Sequence, residues 1–348
     1  DGESVTGEAV NEDTVAKMKV IENVIDTYFY KEDVDKDAMV DGIYKGMVES
    51  LGDPYSEYYS KEELESLYQD SFGVYYGVGA YVSLDTTTGL AKVSGIIADS
   101  PAEEADLRAE DIIYKVDDVD VTGMSLQETV SLIKGDENTT VKLTLIRDGK
   151  EIEKEVTRRK VESPTVNFKM LDDGMAYIQI TEFDTVTVDQ FTEAMAMARG
   201  NDMKGLILDL RSNPGGNLSS VVSIAKQMLP KGLIVYTEDR DGNREEYSCD
   251  GSKELDVPMV VLVNGNSASA SEILAGAIKD YGIGTLVGTT TFGKGIVQRP
   301  IELSDGSAVK LTISSYYTPN GINIHGIGIE PDVECEFDSE RGSIRQSA

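Results

Sequence analysis

The spacing of apolar residues changes along the chain and divides it into three stretches. In residues 1–71 the apolar positions recur at helical spacing, which predicts amphipathic helices. Residues 72–161 contain short β-branched runs separated by turn residues, which predicts a β-rich unit. In residues 162–348 apolar strands alternate with helices. We therefore predict a multidomain protein of α/β (α+β) class, in which N-terminal helices precede an inserted β-rich domain and an alternating α/β core.

The individual elements follow from these periods. Helices are expected over residues 14–30, 36–50, 61–68, 125–134, 188–199 and 218–229. Strands are expected over residues 91–97, 140–147, 175–180, 205–210, 257–263, 285–288 and 308–317. After the strand at 257–263, a further helix is indicated by five apolar residues on one face: Ile273, Leu274, Ala277, Ile278 and Tyr281.

The candidate chemistry lies around that last helix. Ser269 is placed at the corner between strand and helix, where unpaired N–H groups and partial positive charge can stabilise an anion. Lys294 follows in a Gly-Lys-Gly turn, and Gln298 lies four residues further on. A serine and a lysine in this arrangement predict a Ser/Lys catalytic dyad with the lysine as general base.

Two other interpretations of the same stretch are open at this point. Ser269 and Glu272 fit the S-x-x-E capping box, and that motif alone favours a serine that only caps the helix. Residues 288–295 fit a phosphate-binding loop except at Gly295, where the metal-binding hydroxyl is expected. A strand rather than a helix is predicted after this loop, which disfavours nucleotide binding.

Longer motifs resemble the carboxyl-terminal processing peptidases, the tail-specific protease family. The matching segments lie at residues 264–273 (N-x-x-S-A-S-A-S-E-I), 279–282 (K-D-Y-G) and 291–298 (T-F-G-K-G-x-V-Q). The separation from Ser269 to Lys294, 294 − 269 = 25 residues, is also that of the family. The resemblance implies Ser269 as nucleophile, Lys294 as base and Gln298 as the residue that orients the lysine. It implies a supporting role for Asp280.

Residues 209–216 match a further motif of this family, D-L-R-x-N-x-G-G. Acyl transfer needs two N–H donors on the developing oxyanion, and glycines allow the close backbone approach that such donors require. We expect one donor from Gly215 or Gly216 and the other from Ala270. The apolar strand that ends at Asp209 also imitates the metal-binding strand of nucleotide hydrolases.

The β-rich stretch resembles a PDZ domain of the circularly permuted bacterial kind. Such a domain adds a peptide strand to its sheet edge and holds the terminal carboxylate in backbone N–H groups. The expected carboxylate-binding loop consists of Gly77, Val78, Gly79 and Ala80. Asp106 and Glu110 depart from the family's glycines, although aspartate tolerates the left-handed turn. Lys134 lies near a substrate-sensing basic residue of some relatives, but a lysine also suits a helix C-terminus.

The N-terminal helices have two open interpretations. Residues 50–58 match a segment found in the same family, S-L-x-D-P-Y-S-x-Y. In relatives such helices pack on the protease core or form a dimer, and the amphipathic pattern suits both.

Composition excludes several classes of function. With 32 basic and 63 acidic residues the formal charge is −31, which makes nucleic acid and anionic membranes poor partners. His325 is the only histidine, so no histidine cluster can bind a metal and a Ser-His-Asp triad would depend on this residue. Cys249 and Cys335 cannot form a thiolate site alone, and their pairing is open. No metal or cofactor is therefore expected.

No apolar run reaches membrane-spanning length. The numbering begins in a polar, acidic segment, so we expect that an upstream export signal or anchor was removed and that the protein acts outside the cytoplasm.

The dyad makes one energetic demand. A free lysine has a pKa of about 10.4, so a neutral base at pH 7 needs a fall of about 3 units, or about 4 kcal/mol. Surface charges are screened beyond about 8–10 Å, whereas burial acts locally. Lys294 must therefore be desolvated, and Asp280 must not contact it directly.

The sequence thus predicts an envelope or secreted serine endopeptidase that captures protein C-terminal tails with its PDZ domain. It then cleaves upstream through an acyl-enzyme. Two alternatives remain: a catalytically silent PDZ scaffold that binds C-termini, and an esterase that depends on His325. The natural substrate, the oligomeric state and any control by the PDZ domain are not determined by the sequence.

Overall fold

The computed structural model describes residues 8–31, 33–85 and 87–336 of the 348-residue chain. Its first part is helical, with one short strand. The elements are α1 (Glu12–Tyr28), α2 (Lys36–Glu49), β1 (Glu57–Tyr59) and α3 (Lys61–Phe72). Helix α3 ends at Gly73, whose φ of 67° is left-handed. A glycine meets this geometry without steric cost, so the chain can turn sharply into the next domain.

Helix α1 has no buried residue in the single chain. Its predicted apolar stripe is largely exposed: Ile21 and Val24 are each 51% accessible, and Tyr28 is 79% accessible. Packing of this stripe on the protease core, one of the two open interpretations, is therefore wrong for α1.

The second part is the small β-rich domain. Its elements are β2 (Val74–Gly77), β3 (Ala80–Leu84), β4 (Ala91–Ile96), α4 (Pro101–Glu104), β5 (Ile112–Val116), β6 (Val119–Asp120), α5 (Leu126–Ile133), β7 (Thr140–Arg147), β8 (Lys150–Thr157) and β9 (Arg159–Glu162). The main sheet has the order β3-β4-β5-β7-β8, with β6 beside β5, and β2 pairs separately with β9. Asp106 has a φ of 55°, as expected for an aspartate in place of the family's glycine.

The third part is the α/β core. Its elements are β10 (Val166–Met170), β11 (Met175–Ile180), α6 (Thr185–Gly200), β12 (Gly205–Asp209), α7 (Leu218–Ala225), β13 (Gly232–Asp239), β14 (Arg244–Cys249), β15 (Met259–Val263), α8 (Ala270–Tyr281), β16 (Thr285–Gly288), β17 (Ile296–Glu302), β18 (Ala308–Tyr317) and β19 (Val333–Glu334), with a 3-10 turn at Asp172–Gly174. The central sheet has the order β10-β11-β12-β15-β16-β19, and all of its pairs are parallel except β10 with β11.

A second, antiparallel sheet lies beside this core. Its order is β1-β18-β13-β14, with β17 paired to β18. Strand β1 from the N-terminal part therefore completes a sheet built by the last third of the chain.

Each of the two larger domains has its own hydrophobic core. Buried aliphatic residues such as Val93, Val141 and Leu145 fill the β-rich domain. A larger cluster that includes Phe183 and Phe191 joins the central sheet to α6, α7 and α8. The predicted boundaries at 71/72 and 161/162 fall in the last turn of α3 and within β9.

The parallel sheet determines where the site can form. Strands β12 and β15 are parallel neighbours, so the loops that follow Asp209 and Val263 leave the same edge of the sheet. Ligands of open α/β sheets bind at such carboxyl edges.

The structure answers one question that the sequence left open, the pairing of the two cysteines. Cys249 is buried and Cys335 is exposed, and the two are not paired. Within residues 8–31, 33–85 and 87–336, no helix combines the length and the apolar character needed to cross a membrane.

Candidate active site

Ser269 occupies a strained corner just before helix α8. Its φ of 53° and ψ of −112° lie in a region that residues with a side chain rarely adopt. Such a conformation costs roughly 1–3 kcal/mol and persists only where its surroundings enforce it. A serine on a sharp strand-to-helix turn has its hydroxyl presented at the sheet edge.

Neighbouring serines hold this corner in place. The Ser267 hydroxyl donates to the Leu210 carbonyl at 2.8 Å, and the Ser271 hydroxyl donates to the Asn213 carbonyl at 3.0 Å. Both serines are fully buried. They tie the loop that carries Ser269 to the loop after β12, so the two loops form one unit.

Glu272 joins the serine corner to the lysine loop. Its side chain is fully buried. One carboxylate oxygen, Oε2, accepts the main-chain N–H groups of Ser269 and Lys294, both at 2.9 Å. Oε1 accepts the Thr291 hydroxyl at 2.5 Å and the Gly293 N–H at 2.7 Å. Since the nitrogens of Ser269 and Lys294 contact the same oxygen, they are at most twice 2.9 Å apart.

Tyr316 adds a second connection between the same two segments. It is 1% exposed, and its hydroxyl lies within hydrogen-bonding distance of the main-chain oxygens of both Ser269 and Lys294. Burial, together with the nearby Glu272 carboxylate, holds the pKa of Tyr316 well above its ordinary value. The phenol therefore remains a donor over the working range of an enzyme.

The amine of Lys294 makes no hydrogen bond to Ser269 in this structure. Its Nζ lies 4.6 Å from the centroid of the Tyr55 ring, and it makes no hydrogen bond to any residue in the described ranges. Burial lowers the pKa of Lys294, and the positive charge of Lys310 lowers it further, while Asp53 opposes the shift. The direction agrees with the desolvation that a neutral base requires.

Gln298 is held by a chain of polar groups next to this lysine. Its Nε2 donates to the Thr312 hydroxyl at 3.2 Å, and that hydroxyl donates to Asp53 Oδ2 at 2.6 Å. Asp53 also accepts the Ser56 hydroxyl at 2.6 Å. These hydrogen bonds connect Gln298 to the N-terminal segment that carries Tyr55, and they do not include Lys294.

The predicted oxyanion donors differ in availability. The Gly215 N–H donates to Asn213 Oδ1 at 2.8 Å, so it is occupied in this conformation. Within the described ranges, the N–H groups of Gly216 and Ala270 have no hydrogen-bond acceptor. A Cβ at Gly215 would lie 2.8 Å from the Ser269 Cβ and 2.9 Å from the Ala270 nitrogen. Only glycine permits the diglycine loop to approach the serine this closely.

Two other sequence candidates, Asp280 and Asp209, have partners outside the dyad. Asp280 accepts the Asn320 N–H at 2.8 Å and stabilises a turn after β18. Asp209 is fully buried and pairs with Arg211 at 2.6 Å, and the described ranges contain no group of His, Cys, Asp or Glu side chains suited to a metal ion. The loop that carries Lys294 is followed by strand β17 and not by the helix that a phosphate-binding loop needs. His325 is exposed.

The expected tail-binding loop lies at one end of an open edge. Strand β3 is an edge strand of its sheet, and α5 packs beside it. The Val78 carbonyl accepts the Ala102 N–H at 2.7 Å, and the Gly79 carbonyl accepts the Ile97 N–H at 3.0 Å. Among the described residues, the N–H groups of Val78 and Gly79 have no acceptor. The loop therefore has free donors but no free carbonyls at these two residues.

A cleft of about 530 Å³ lies close to this loop. The lining residues are Gln69, Tyr76, Ser131, Lys134, Gly135, Asp136 and Glu137. The Lys134 Nζ is 5.8 Å from the centroid of the Tyr75 ring. Helix α3, through Gln69, thus contributes to a cleft of the β-rich domain.

Sequence reasoning missed the roles of Glu272, Tyr316 and Tyr55. The S-x-x-E motif indicated Glu272 only as a capping residue, and the predicted bond from the Ser269 N–H to its carboxylate is present. The three bonds from residues 291–294 arise from tertiary contact, and nothing in the motif indicates them.

We predict that Glu272→Gln destabilises the α/β core by about 2–4 kcal/mol, because an amide cannot accept four hydrogen bonds and buried N–H groups remain unpaired. The matched control is Glu128→Gln, at the same capping-box position of helix α5, where the glutamate is exposed. It should change stability by less than about 0.5 kcal/mol. Urea unfolding followed by circular dichroism measures both, and equal midpoints for the two variants would contradict this role.

Each of the three parts of the chain matches a known family of proteins. The profile "Peptidase family S41" matches residues 174–335, "PDZ domain" matches residues 92–147, and "Activating protease CtpB N-terminal domain" matches residues 2–63. "Carboxy-terminal processing protease CtpA" of Bacillus subtilis is 38% identical over 321 residues, which are 92% of this chain and 68% of that protein. "Carboxyl-terminal-processing protease" of Synechocystis is 38% identical over 296 residues, 83% of this chain and 69% of that protein.

A solved structure shows the same arrangement. "Photosystem II D1 C-terminal processing protease" is similar with a TM-score of 0.55 and 31% identity, and 94% of each chain is covered. The predicted fold class is confirmed, and a PDZ domain in a peptidase implies protein substrates. The chain therefore belongs to the carboxy-terminal processing proteases, serine peptidases of family S41.

Proposed function

We propose that the protein cleaves peptide bonds with Ser269 as nucleophile and Lys294 as general base. One observation carries this proposal: a single buried oxygen, Oε2 of Glu272, binds the main-chain N–H groups of both residues. The backbones of nucleophile and base are thereby fixed next to each other, 25 residues apart in sequence (294 − 269). Only the lysine side chain has to move.

The reaction begins when the neutral amine of Lys294 leaves the Tyr55 ring and reaches the Ser269 hydroxyl. The amine takes the hydroxyl proton while the oxygen attacks the substrate carbonyl. As the tetrahedral intermediate collapses, the C–N bond breaks, the leaving amine receives that proton, and an acyl-enzyme remains. Lysine then takes a proton from a water molecule that attacks the ester, and returns it to the Ser269 oxygen as the bond to the acyl group breaks. Burial supports this cycle because it disfavours the charged ammonium.

The negative oxygen of the intermediate needs donors beside Ser269. The Ala270 N–H, at the start of helix α8, is unoccupied among the described residues, and so is the Gly216 N–H. We assign these two groups to the oxyanion. The Gly215 N–H can contribute only if it leaves Asn213. Loss of one such donor typically costs about 10²–10³ in rate.

The PDZ domain supplies the substrate. The free N–H groups of Val78 and Gly79 suit a terminal carboxylate, and the open edge of β3 suits an added peptide strand. Lys134 is placed to add positive charge near that end. A tail held there leaves an upstream segment free to reach Ser269.

We predict that Ser269→Ala and Lys294→Ala each abolish cleavage of an internally quenched peptide with a free C-terminus. Both variants should still bind the peptide, as measured by fluorescence anisotropy, because the PDZ loop is unchanged. A wild-type chain that binds the peptide without cutting it would instead be a silent scaffold. Cleavage that survives Lys294→Ala and disappears in His325→Ala would favour the histidine-dependent esterase.

The charge of Lys310 gives a pH-dependent prediction. Lys310 lowers the pKa of Lys294, so Lys310→Gln should raise that pKa and shift the acidic limb of kcat/KM to higher pH. At neutral pH the rate should fall, because less of the amine is neutral, and the plateau at high pH should persist. Lys169→Gln, at an exposed position of β10, is the charge-matched control and should leave the profile in place. A Lys310→Gln profile that coincides with the wild type would contradict the assignment of Lys294 as base.

We further propose that the N-terminal helices pair two copies of the chain. The uncovered stripe of α1, including Ile21 and Val24, supports this because such surface is normally buried. Light scattering should therefore give a dimer for the wild type and a monomer for Ile21→Glu with Val24→Glu. A monomeric wild type would refute the dimer without affecting the catalytic proposal.

The proposed location is outside the cytoplasm, in the cell envelope or secreted. The similarity to carboxy-terminal processing proteases, which resemble exported tail-specific proteases, supports it. Cell fractionation with an antibody against the chain tests this location, and detection only in the cytoplasm would contradict it.

A further inference from the structure

Asn217 lies directly after the diglycine loop and does not cap its helix as an asparagine at this position usually does. It is the N-cap residue of helix α7, yet its side chain makes no capping hydrogen bond. An asparagine at this position normally accepts an N–H of the first turn, which is worth about 1 kcal/mol. A local rule that is broken in this way points to a different use of the side chain.

The side chain of Asn217 binds the last turn of helix α3 instead. Its Nδ2 donates to the Ser71 carbonyl at 2.7 Å, and its Oδ1 accepts the Ser71 hydroxyl at 2.8 Å. The two residues are 146 positions apart, so this reciprocal pair, the Ser71–Asn217 clasp, joins separate parts of the fold.

On one side the clasp continues into the oxyanion loop. The Asn217 N–H donates to the Phe183 carbonyl at 2.7 Å, and the Phe183 N–H donates to the Gly215 carbonyl at 2.8 Å. Phe183 is fully buried and cannot shift easily. Gly216, with its unoccupied N–H, is therefore held between two fixed points, Gly215 and Asn217.

On the other side the clasp lies beside both connections to the PDZ domain. Ser71 is two residues before Gly73, where the chain turns into β2. The returning chain is fixed at the same place, because the Ser163 N–H donates to the Gly73 carbonyl at 2.8 Å. The same turn of α3 carries Gln69, which lines the cleft near the tail-binding loop.

We propose that Asn217 is a positioning residue. Through the Ser71–Asn217 clasp it ties the Gly216 N–H to the end of helix α3 that leads into the PDZ domain. The clasp thereby fixes where this N–H lies relative to Ser269. Asn217 itself touches no reacting atom. The inference rests on the proposed peptidase function, and it adds a residue outside the dyad whose loss slows the chemical step without weakening tail binding.

The test uses the full chain with Ser71→Ala, Asn217→Ser and the double variant. Serine is as good an N-cap as asparagine but is too short to form the clasp, so α7 should remain stable. We expect kcat on the quenched tail peptide to fall about 10- to 100-fold in Asn217→Ser, as for a misplaced catalytic donor. The fall should be smaller in Ser71→Ala, which keeps the main-chain carbonyl that Asn217 Nδ2 binds. KM, and the Kd for the peptide measured in a Ser269→Ala background, should be unchanged.

Two features separate positioning from mere structural damage. The double variant should be no slower than Asn217→Ser, because that substitution alone already removes both hydrogen bonds of the clasp. Asn201→Ser, the same substitution at the end of α6, is the matched control and should retain wild-type kcat. Unchanged kcat in Ser71→Ala and Asn217→Ser, losses that multiply in the double variant, or losses explained by a lower Tm would each overturn the proposal. A wild-type chain that fails to cleave would refute the peptidase function itself.

Discussion

The carboxylate of Glu272 binds the serine corner and the lysine loop at once, and the rest of the active site depends on this interaction. Four donors converge on two oxygens in a site closed to water. A buried carboxylate is tolerated only when its hydrogen bonds are made, so any arrangement that separates the two segments leaves this group unpaired. The same bonds hold Ser269 in its strained backbone conformation, whose cost they offset.

This fixed backbone makes the lysine side chain the movable part. Main-chain atoms of Ser269 and Lys294 are clamped by Glu272 and Tyr316, whereas the Lys294 amine rests over the Tyr55 ring. The ring belongs to the N-terminal segment that also adds β1 to the second sheet. Residues far apart in sequence thus contribute to the burial that lowers the pKa of the amine. The N-terminal segment with Tyr55 therefore sets the resting position of the lysine amine, whereas Glu272 and Tyr316 set that of the serine backbone.

Much of this architecture could be predicted from the sequence, because local rules decide it. The alternation of strands and helices after residue 162 follows from residue spacing. The left-handed turn at Asp106 is implied by the resemblance to the family, and the desolvation of Lys294 by the chemistry of the dyad. The remaining features depend on contacts across the fold. The S-x-x-E motif shows how Glu272 meets Ser269, but not that residues 291–294 use the same oxygens. Likewise, nothing near Asn217 in sequence indicates that it binds Ser71 rather than its own helix.

The sequence also could not predict which oxyanion donors are free of other hydrogen bonds. The glycine pair indicated a close approach to the serine, and the structure shows that approach at Gly215. Asn213 decides which glycine has a free N–H, because its side-chain oxygen accepts the N–H of Gly215. The motif contains both residues but does not determine the bond between them.

The active site depends on a Lys294 amine whose pKa is lowered by its surroundings. Titration of the chain with ¹³C-labelled lysine, followed by NMR and assigned through Lys294→Arg, measures this directly. We predict that one lysine resonance, absent from the variant, titrates below the ordinary lysine pKa. Titration of Lys294 together with the exposed lysines would contradict it.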